Sequence, residues 1–426
     1  MTTVAAPPVR VRTTRSLLPA GWPLYALFGL YPVWWFLGIG AFLWPIMAVI
    51  LAVGFVLRGE RLRAPRGFGI WILFLLWILG SSLMVEDPTS LIVWGYRVSL
   101  YFSGTALFLY IYNQPSWRMP AKNVLRALMA FWMLVVVGGF LGMAFPEASF
   151  HSPMEAVMPG GLLSNEWFHD LIHVSFAQVQ SFLGYDLSRP SAPFAYTNEW
   201  GSALALLTPL VLAALATRTG RRLRLPIGLM MAAAVIPIVM SVNRGLWLSL
   251  GLGLAYAWYR LLGRGRVKGV AALGMIFLVV AVAIVVSPLG GVITDRLENP
   301  HSNEGRLTLY KEATDSVAGS PLIGYGVPRQ SETQRTGPPV GTHGLIWMIL
   351  VSHGIPAVLF FLGWFLWSLW ATRRVPTSTA FWANVTIFIA LVQLAYYGML
   401  PSQFQVLMVA AALAWRDRSE LQAARA

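Results

Sequence analysis

Residues 287–343 read SPLGGVITDRLENPHSNEGRLTLYKEATDSVAGSPLIGYGVPRQSETQRTGPPVGTH, and they form the longest polar interruption late in an otherwise apolar chain. Inside this stretch, Ser302 or Asn303 can cap a helix that ends at Gly319 before a proline. His343 closes the stretch, and a long apolar run follows directly. The sequence therefore predicts a polar loop with its own helix between two membrane spans. The predicted apolar face of that helix consists of Leu307, Tyr310, Ala313 and Val317.

The chain on both sides of this loop has the composition of a membrane protein. Hydrophobic residues make up 57% of its 426 residues and charged residues 11%, against about 25% charged in soluble domains. Apolar runs of about 20 residues recur, each long enough to cross a ~30 Å hydrocarbon core. We therefore predict an all-α polytopic membrane protein with about twelve transmembrane helices. The predicted spans cover residues 21–38, 40–57, 68–84, 90–112, 124–145, 194–216, 225–242, 244–261, 268–286, 344–371, 378–399 and 401–415.

Charged residues segregate between the two sides of the predicted membrane. Basic residues concentrate in every second connecting segment, starting with the N-terminal arm, as the positive-inside rule expects of cytoplasmic loops. This pattern explains the formal charge of +14 without nucleic acid. Both termini are then cytoplasmic, and the two long exoplasmic segments are 146–193 and 287–343. The predicted organisation is a basic arm (1–20), one transmembrane domain (21–416) and a cytoplasmic tail (417–426).

The first exoplasmic segment contains EWFHDLIHVSFAQVQSFL, residues 166–183, whose apolar residues recur at helical spacing. We expect a helix that lies in the membrane interface or packs on the bundle. His169 and His173 share one face of this helix, as in some zinc sites. However, Asp170 replaces the usual Glu, no third ligand is evident, and the chain has no Cys. No metal site is predicted, and the histidines are interpreted as part of a polar helix face.

Ionisable groups are almost absent from the predicted spans apart from Arg97 and His353, near exoplasmic ends. Ion-coupled transporters usually need such groups inside the membrane. Instead, Arg189, Arg244 and Arg306 lie on the exoplasmic side, where the positive-inside rule disfavours arginine. Each can pair with an acidic side chain or a lipid headgroup, or it can bind an anionic substrate, since guanidinium suits bidentate phosphate contact.

Two histidines have different interpretations. His343 lies where the polar loop re-enters the membrane, and a neutral imidazole there can accept a proton from a hydroxyl near pH 7. The alternative is that His343 merely marks a helix start. His353, deeper in the span, is interpreted as a hydrogen-bonding partner of a neighbouring helix.

Four local signatures together resemble the O-antigen ligase and polysaccharide polymerase superfamily, most strongly from Arg189 to Gly354. They occur in the family's order on one predicted face of the membrane. Gly344 stands where the family often has Asn, and Asn243 stands in place of a serine. The signatures are Arg189 to Asn198 (RPSAPFAYTN), Ser241 to Gly245 (SVNRG), Gly305-Arg306 with Pro321 to Gly326 (PLIGYG), and Thr342-His343-Gly344 leading to Gly354.

The resemblance implies a transferase in the inner membrane of a bacterium, with its active site on the periplasmic or external face. Such proteins transfer a glycan from a polyprenyl-diphosphate carrier to an acceptor hydroxyl of a glycan, lipid or protein, without a cofactor. Carried over to this sequence, Arg189, Arg244 and Arg306 contact the diphosphate and His343 acts as the base. Arg97, Asn198 and His353 are candidates for secondary roles in the same site.

Two other functions remain open from the sequence. A transporter or flippase of a lipid-linked or anionic solute would show an internal repeat and a midplane site, and neither is evident. A non-enzymatic scaffold would leave the arginines and His343 without a reason to converge. Ligase and polymerase share these residues and differ only in their acceptor.

Overall fold

The computed structural model describes residues 19–59, 61–163, 166–181, 186–217, 221–269, 271, 274, 302–331 and 339–425. Among these residues helix is the dominant structure, at 72%, with almost no sheet. Three described helices are long and apolar enough to cross a membrane, namely Ala121–Ala144, Thr197–Ala216 and Leu345–Thr372. Shorter apolar helices occupy several other predicted spans. Twelve spans and cytoplasmic termini remain predictions, and the span at 268–286 lies almost wholly outside the described residues.

The helices largely coincide with the predicted spans. Short turns of helix replace one continuous element near the N-terminus, where a π-helix (Tyr25–Gly29) lies between Trp22–Leu24 and Tyr31–Phe36. The remaining α-helices are Leu43–Arg58, Phe68–Gly80, Pro88–Asn113, Ala121–Ala144, Pro153–Val157, Gly160–Leu163, Glu166–Ile172, Thr197–Ala216, Arg224–Ala233, Val235–Met240, Arg244–Leu262, Ser302–Val317, Leu345–Thr372, Ser378–Gln393 and Ser402–Ala423. Two 3₁₀ segments, Ser81–Met84 and Arg221–Leu223, are also present.

The C-terminal helix, Ser402–Ala423, lies at the centre of the bundle. All its residues from Ser402 to Arg416 are buried, and it packs against Pro88–Asn113 and Ser378–Gln393. A helix that is buried all round belongs to the core and not to the lipid-facing perimeter. It continues past residue 415, so residues assigned to the tail are helical as far as Ala423.

Outer helices expose large apolar side chains. Examples are Val49 (63% exposed), Val56 (79%), Leu76 (60%) and Leu359 (62%). Extended apolar surface of this kind is unfavourable in water but suits contact with lipid tails. The apolar surface of the outer helices is therefore the kind expected of a multi-pass membrane protein.

The predicted helix at 166–183 is wrong beyond its first half, because the helix ends at Ile172. Strand β2 (Val174–Ser175) pairs with β1 (Ser149–Phe150), and β3 (Ala177–Ser181) pairs with β4 (Asp186–Pro190), each antiparallel. Residues 177–180 alternate apolar and polar side chains, which is the period of a strand, whereas the wider pattern of residues 166–183 has the period of a helix. The described fold is therefore helical with two small sheets, not strictly all-α.

The helix predicted inside the polar loop is confirmed and spans Ser302–Val317; we call it the loop helix. Its predicted apolar face is partly wrong, since Leu307 is 64% exposed while Leu309 and Ala313 are buried. These two side chains cluster with Val340 and Val351. Packing against the helix Leu345–Thr372 selects this face, which the sequence pattern alone does not reveal.

Candidate active site

Arg189 is held in strand β4, opposite Gln178 of β3. Its side chain is buried, and its Nε donates a hydrogen bond to the Ser241 carbonyl oxygen at 2.6 Å. The strand can approach the membrane helix Ala121–Ala144 because a Cβ on Gly142 would lie 2.8 Å from the Pro190 Cα. The hairpin therefore places Arg189 directly against the Ser241 turn.

The SVNRG signature forms the turn that begins the helix Arg244–Leu262. Asn243 caps this helix by accepting a hydrogen bond from the Leu246 backbone N–H at 3.2 Å, the usual role of an Asn at this position. Its Nδ2 donates to the Thr197 carbonyl oxygen at 3.2 Å and lies 3.5 Å from Asn198 Oδ1. Arg244 is the first residue of the helix and is half-buried. The Asn at position 243, a departure from the family pattern, thus acts as a helix cap.

His343 lies in the turn that precedes the helix Leu345–Thr372, and it is half-buried. Its carbonyl oxygen accepts a hydrogen bond from the hydroxyl of Tyr310, on the loop helix, at 3.3 Å. Tyr310 also stacks on Trp347, with ring centroids 5.0 Å apart. Thr342 Oγ1 lies 3.5 Å from His343 Nδ1, too far for a strong hydrogen bond that would fix the tautomer. The loop helix therefore contacts the His343 turn directly.

Tyr397 joins the His343 turn to the SVNRG turn. Its carbonyl oxygen accepts from the Leu345 N–H at 2.8 Å, and its hydroxyl donates to Asn243 Oδ1 at 2.6 Å. Combined with the bond from Arg189 to Ser241, these contacts connect the segments of Arg189, Arg244 and His343. Tyr397 was not predicted from the sequence, where it stands as one of two tyrosines at the end of a span with no motif to mark it.

Arg306 lies in the loop helix, one turn before Tyr310. Its side chain lies outside the described residues. The backbone alone thus places Arg306 on the element that contacts His343.

The PLIGYG signature docks into a break in the helix Leu345–Thr372, which we call the kinked helix. Gly354 adopts φ 79° and ψ 179° inside this helix, which frees backbone groups for other partners. Tyr325 N–H donates to the Val351 carbonyl at 3.0 Å, Gly326 N–H to the Ser352 carbonyl at 2.7 Å, and Ile355 N–H to the Pro321 carbonyl at 2.8 Å. The signature is therefore a clamp that anchors the end of the loop helix to the membrane domain.

His353, a secondary candidate, has a structural role at this break. Its buried Nδ1 lies 2.7 Å from Ser81 Oγ, and its carbonyl oxygen accepts from Trp77 Nε1 at 3.2 Å. These bonds tie the kinked helix to the neighbouring helix Phe68–Gly80 and the turn after it. The interpretation of His353 as an interhelical hydrogen-bonding residue is confirmed.

Arg97, the other intramembrane candidate, lies over the ring of Trp167 at 5.3 Å. Trp167 belongs to the short helix Glu166–Ile172 of the first exoplasmic segment. Among the described residues, the buried Arg97 Nη1 has no hydrogen-bond partner. The cation–π contact thus ties the exoplasmic segment to the membrane domain.

A cleft beside the short helix was not predicted from the sequence. It has an empty volume of about 440 Å³, its open mouth included, and its polar lining includes Tyr31, Asp170, Glu199 and Ser402. Tyr196 donates a hydrogen bond from its hydroxyl to Asp170 Oδ2 at 2.6 Å. Glu199 lies in the first turn of the helix Thr197–Ala216. Glu199 thus lies inside the predicted span 194–216 and is an exception to the near absence of ionisable groups from the spans.

Three histidines surround Glu155 on the first exoplasmic segment. His151 Nδ1 lies 2.6 Å from Glu155 Oε2, His173 Nδ1 lies 3.1 Å from Oε1, and His169 Nε2 lies 3.8 Å from Oε2. Desolvation alone would raise the pKa of Glu155, but hydrogen bonds from His151, the Ser152 backbone and His173 outweigh it and lower the pKa. The partners of His169 and His173 that the sequence did not reveal are thus His151 and Glu155.

Residues 229–362 match the family model described as O-Antigen ligase. The match confirms the superfamily resemblance predicted from the sequence, and it includes Arg244, Arg306, His343 and the clamp at Gly354, whereas Arg189 precedes it. No curated protein matches the chain.

Proposed function

We propose that this chain, which carries an O-antigen ligase domain at residues 229–362, is an integral membrane glycosyltransferase. It would move a glycan from a polyprenyl-diphosphate carrier to an acceptor hydroxyl on the periplasmic face of a bacterial inner membrane. The observation that carries the proposal is Tyr397, which hydrogen-bonds both Asn243 and Leu345. The turns that present Arg244 and His343 are thus neighbours, although 99 residues of numbering separate them.

The proposed arginines would bind the diphosphate and stabilise the charge that develops as it leaves. Guanidinium groups suit this role because they stay charged and contact phosphate oxygens in pairs. The hydrogen bond from Arg189 Nε to Ser241 orients the Arg189 plane. Arg306 would approach from the loop helix. Preorganised cations act most strongly where charge develops away from bulk water.

His343 would be the general base. Its imidazole would take the proton of the acceptor hydroxyl as the acceptor oxygen bonds to the anomeric carbon and the bond from that carbon to the diphosphate oxygen breaks. The leaving diphosphate keeps the electron pair, and the anomeric configuration inverts. The carrier supplies the activated glycan, so no cofactor enters the proposed step. Asn198, next to the Asn243 cap, would be a secondary contact.

Reconstitution in proteoliposomes with a defined polyprenyl-diphosphate glycan tests this proposal. His343→Ala should lower kcat/KM by about 10²–10⁴-fold, the usual contribution of a general base. Arg244→Gln should lower it by about 10²–10³-fold, and Arg244→Lys should recover only part, since Lys lacks the bidentate fork. Arg222→Gln is the matched control, because Arg222 is exposed in the connection between Thr197–Ala216 and Arg224–Ala233.

Retention of full transfer by a folded His343→Ala protein would contradict the base assignment. Movement of the donor across the bilayer without transfer to any acceptor would instead favour a transporter or flippase. Candidate acceptors offered in turn distinguish the two enzyme types, because a polymerase extends a second lipid-linked glycan and a ligase does not.

A further inference from the structure

The residues around Glu155 offer metal ligands from two parts of the first exoplasmic segment. His151 and Glu155 flank the start of the helix Pro153–Val157, and His173 follows the helix Glu166–Ile172. One ligand atom from each lies within 4.8 Å of the others. None of these residues belongs to the O-antigen ligase match or to the proposed transfer site.

The ligand separations are slightly shorter than those around a single ion with tetrahedral ligands. Zinc–ligand bonds of about 2.0–2.1 Å place neighbouring ligand atoms about 3.3 Å apart. The observed separations from Glu155 oxygens to His151 and His173 nitrogens, 2.6 and 3.1 Å, lie below this value. An ion would replace these two hydrogen bonds, and each Glu–His pair would open by less than about 1 Å to reach the tetrahedral separation.

The supporting contacts preorganise the carboxylate and leave one side accessible. Ser152 and Glu155 form a capping box, in which the Ser152 N–H donates to Glu155 Oε1 at 3.0 Å. The Glu155 side chain is 6% exposed, whereas that of His151 is 86% exposed. The ring of His169 stacks on His173 with centroids 4.9 Å apart and restricts its orientation. A fixed, buried carboxylate beside an open imidazole gives an ion a route from solvent.

We propose that His151, Glu155 and His173 bind a divalent transition-metal ion, with Zn²⁺ the best match. Two imidazoles and one carboxylate are the ligands that zinc takes in sites with an open fourth position, whereas Mg²⁺ and Ca²⁺ prefer oxygen alone. On binding, each imidazole carries its proton on the ring nitrogen that faces away from the ion. The ion would fasten residues 151–155 to the end of the short helix, next to the cleft lined by Asp170 and Glu199.

Zinc binding by the full chain in detergent tests this proposal. The protein is stripped with a chelator, and ZnCl₂ is returned in competition with a chromogenic chelator of known affinity. We expect one ion per chain, and at least tenfold weaker binding for His151→Gln and for His173→Gln. The exposed position of His151 means that its variant keeps the fold, which circular dichroism checks. Co²⁺ in place of Zn²⁺ should give the visible absorption of a tetrahedral ion.

His343→Gln is the matched control, because it removes a histidine of the proposed transfer site on a different element. It should retain the zinc affinity of the unmodified chain while transfer falls. Equal zinc binding by the unmodified chain and His151→Gln, or equal loss in His343→Gln, would overturn the metal proposal. Since zinc content and transfer are measured separately, failure of one proposal is distinguishable from failure of the other.

Discussion

At the scale of single residues, Asn243 and Tyr397 hold the candidate site together. The Asn243 side chain is buried. Its Oδ1 accepts hydrogen bonds from the Leu246 N–H, which caps the helix, and from the Tyr397 hydroxyl, and its Nδ2 donates to the Thr197 carbonyl oxygen. Buried polar groups of this kind are costly to leave without partners. The site geometry therefore depends on an amide and a phenol that take no part in the proposed chemistry.

The bond between Asn243 and Tyr397 gives a measurable coupling energy. Asn243→Ala and Tyr397→Phe should each lower the free energy of unfolding, and the double variant should lose less than their sum by about 0.5–1.5 kcal/mol. Unfolding in detergent micelles measures all four proteins of the cycle. Tyr259→Phe is the control, because Tyr259 is 70% exposed. Strict additivity of the two losses would show that the hydrogen bond contributes nothing.

At the scale of elements, the break in the kinked helix and the PLIGYG turn depend on each other. Regular helical hydrogen bonding is interrupted at Gly354, and backbone groups of the PLIGYG turn supply the replacement partners. Gly354 has a positive φ, and a Cβ there would lie 2.2 Å from the Leu322 carbonyl oxygen. This explains why a glycine stands at position 354, opposite the PLIGYG turn.

Gly354→Ala should therefore loosen the clamp. A non-glycine residue at positive φ costs about 1–3 kcal/mol, and the clash with Leu322 adds to that cost. We expect a lower melting temperature and faster proteolysis of the loop between the loop helix and His343. Gly363→Ala, on the same helix, is the control because its Cβ would meet nothing nearer than 3.5 Å. Equal stability of the two variants would contradict the clamp.

At the scale of the whole molecule, a buried central helix and an apolar perimeter account for a bundle that lies in lipid. Ser402–Ala423 supplies the centre, and side chains such as Val56 and Leu76 supply the lipid-facing surface. The charge pattern of the connecting segments predicts the orientation of this bundle by the positive-inside rule. The orientation is open to direct measurement because the chain has no cysteine.

Single introduced cysteines should report the predicted orientation. Val157→Cys replaces an exposed residue (74%) of the first exoplasmic segment, and Trp117→Cys replaces an exposed residue (81%) of a predicted cytoplasmic loop. A membrane-impermeant maleimide added to intact spheroplasts should label the former and label the latter only after lysis. The cysteine-free parent is the control. The reverse labelling pattern would invert the topology.

The sequence by itself determined the membrane class, most helix positions and the O-antigen ligase resemblance. Apolar runs and local signatures are properties of neighbouring residues, so one sequence reveals them. The tertiary structure decided which face of the loop helix is buried, where the helix at Glu166 gives way to strands, and how Tyr397 connects two turns. It also brought His151 and Glu155 to His173, although the His169–His173 pair alone indicated no site. These features arise from contacts between segments distant in the chain, and packing selects them only after the helices have assembled.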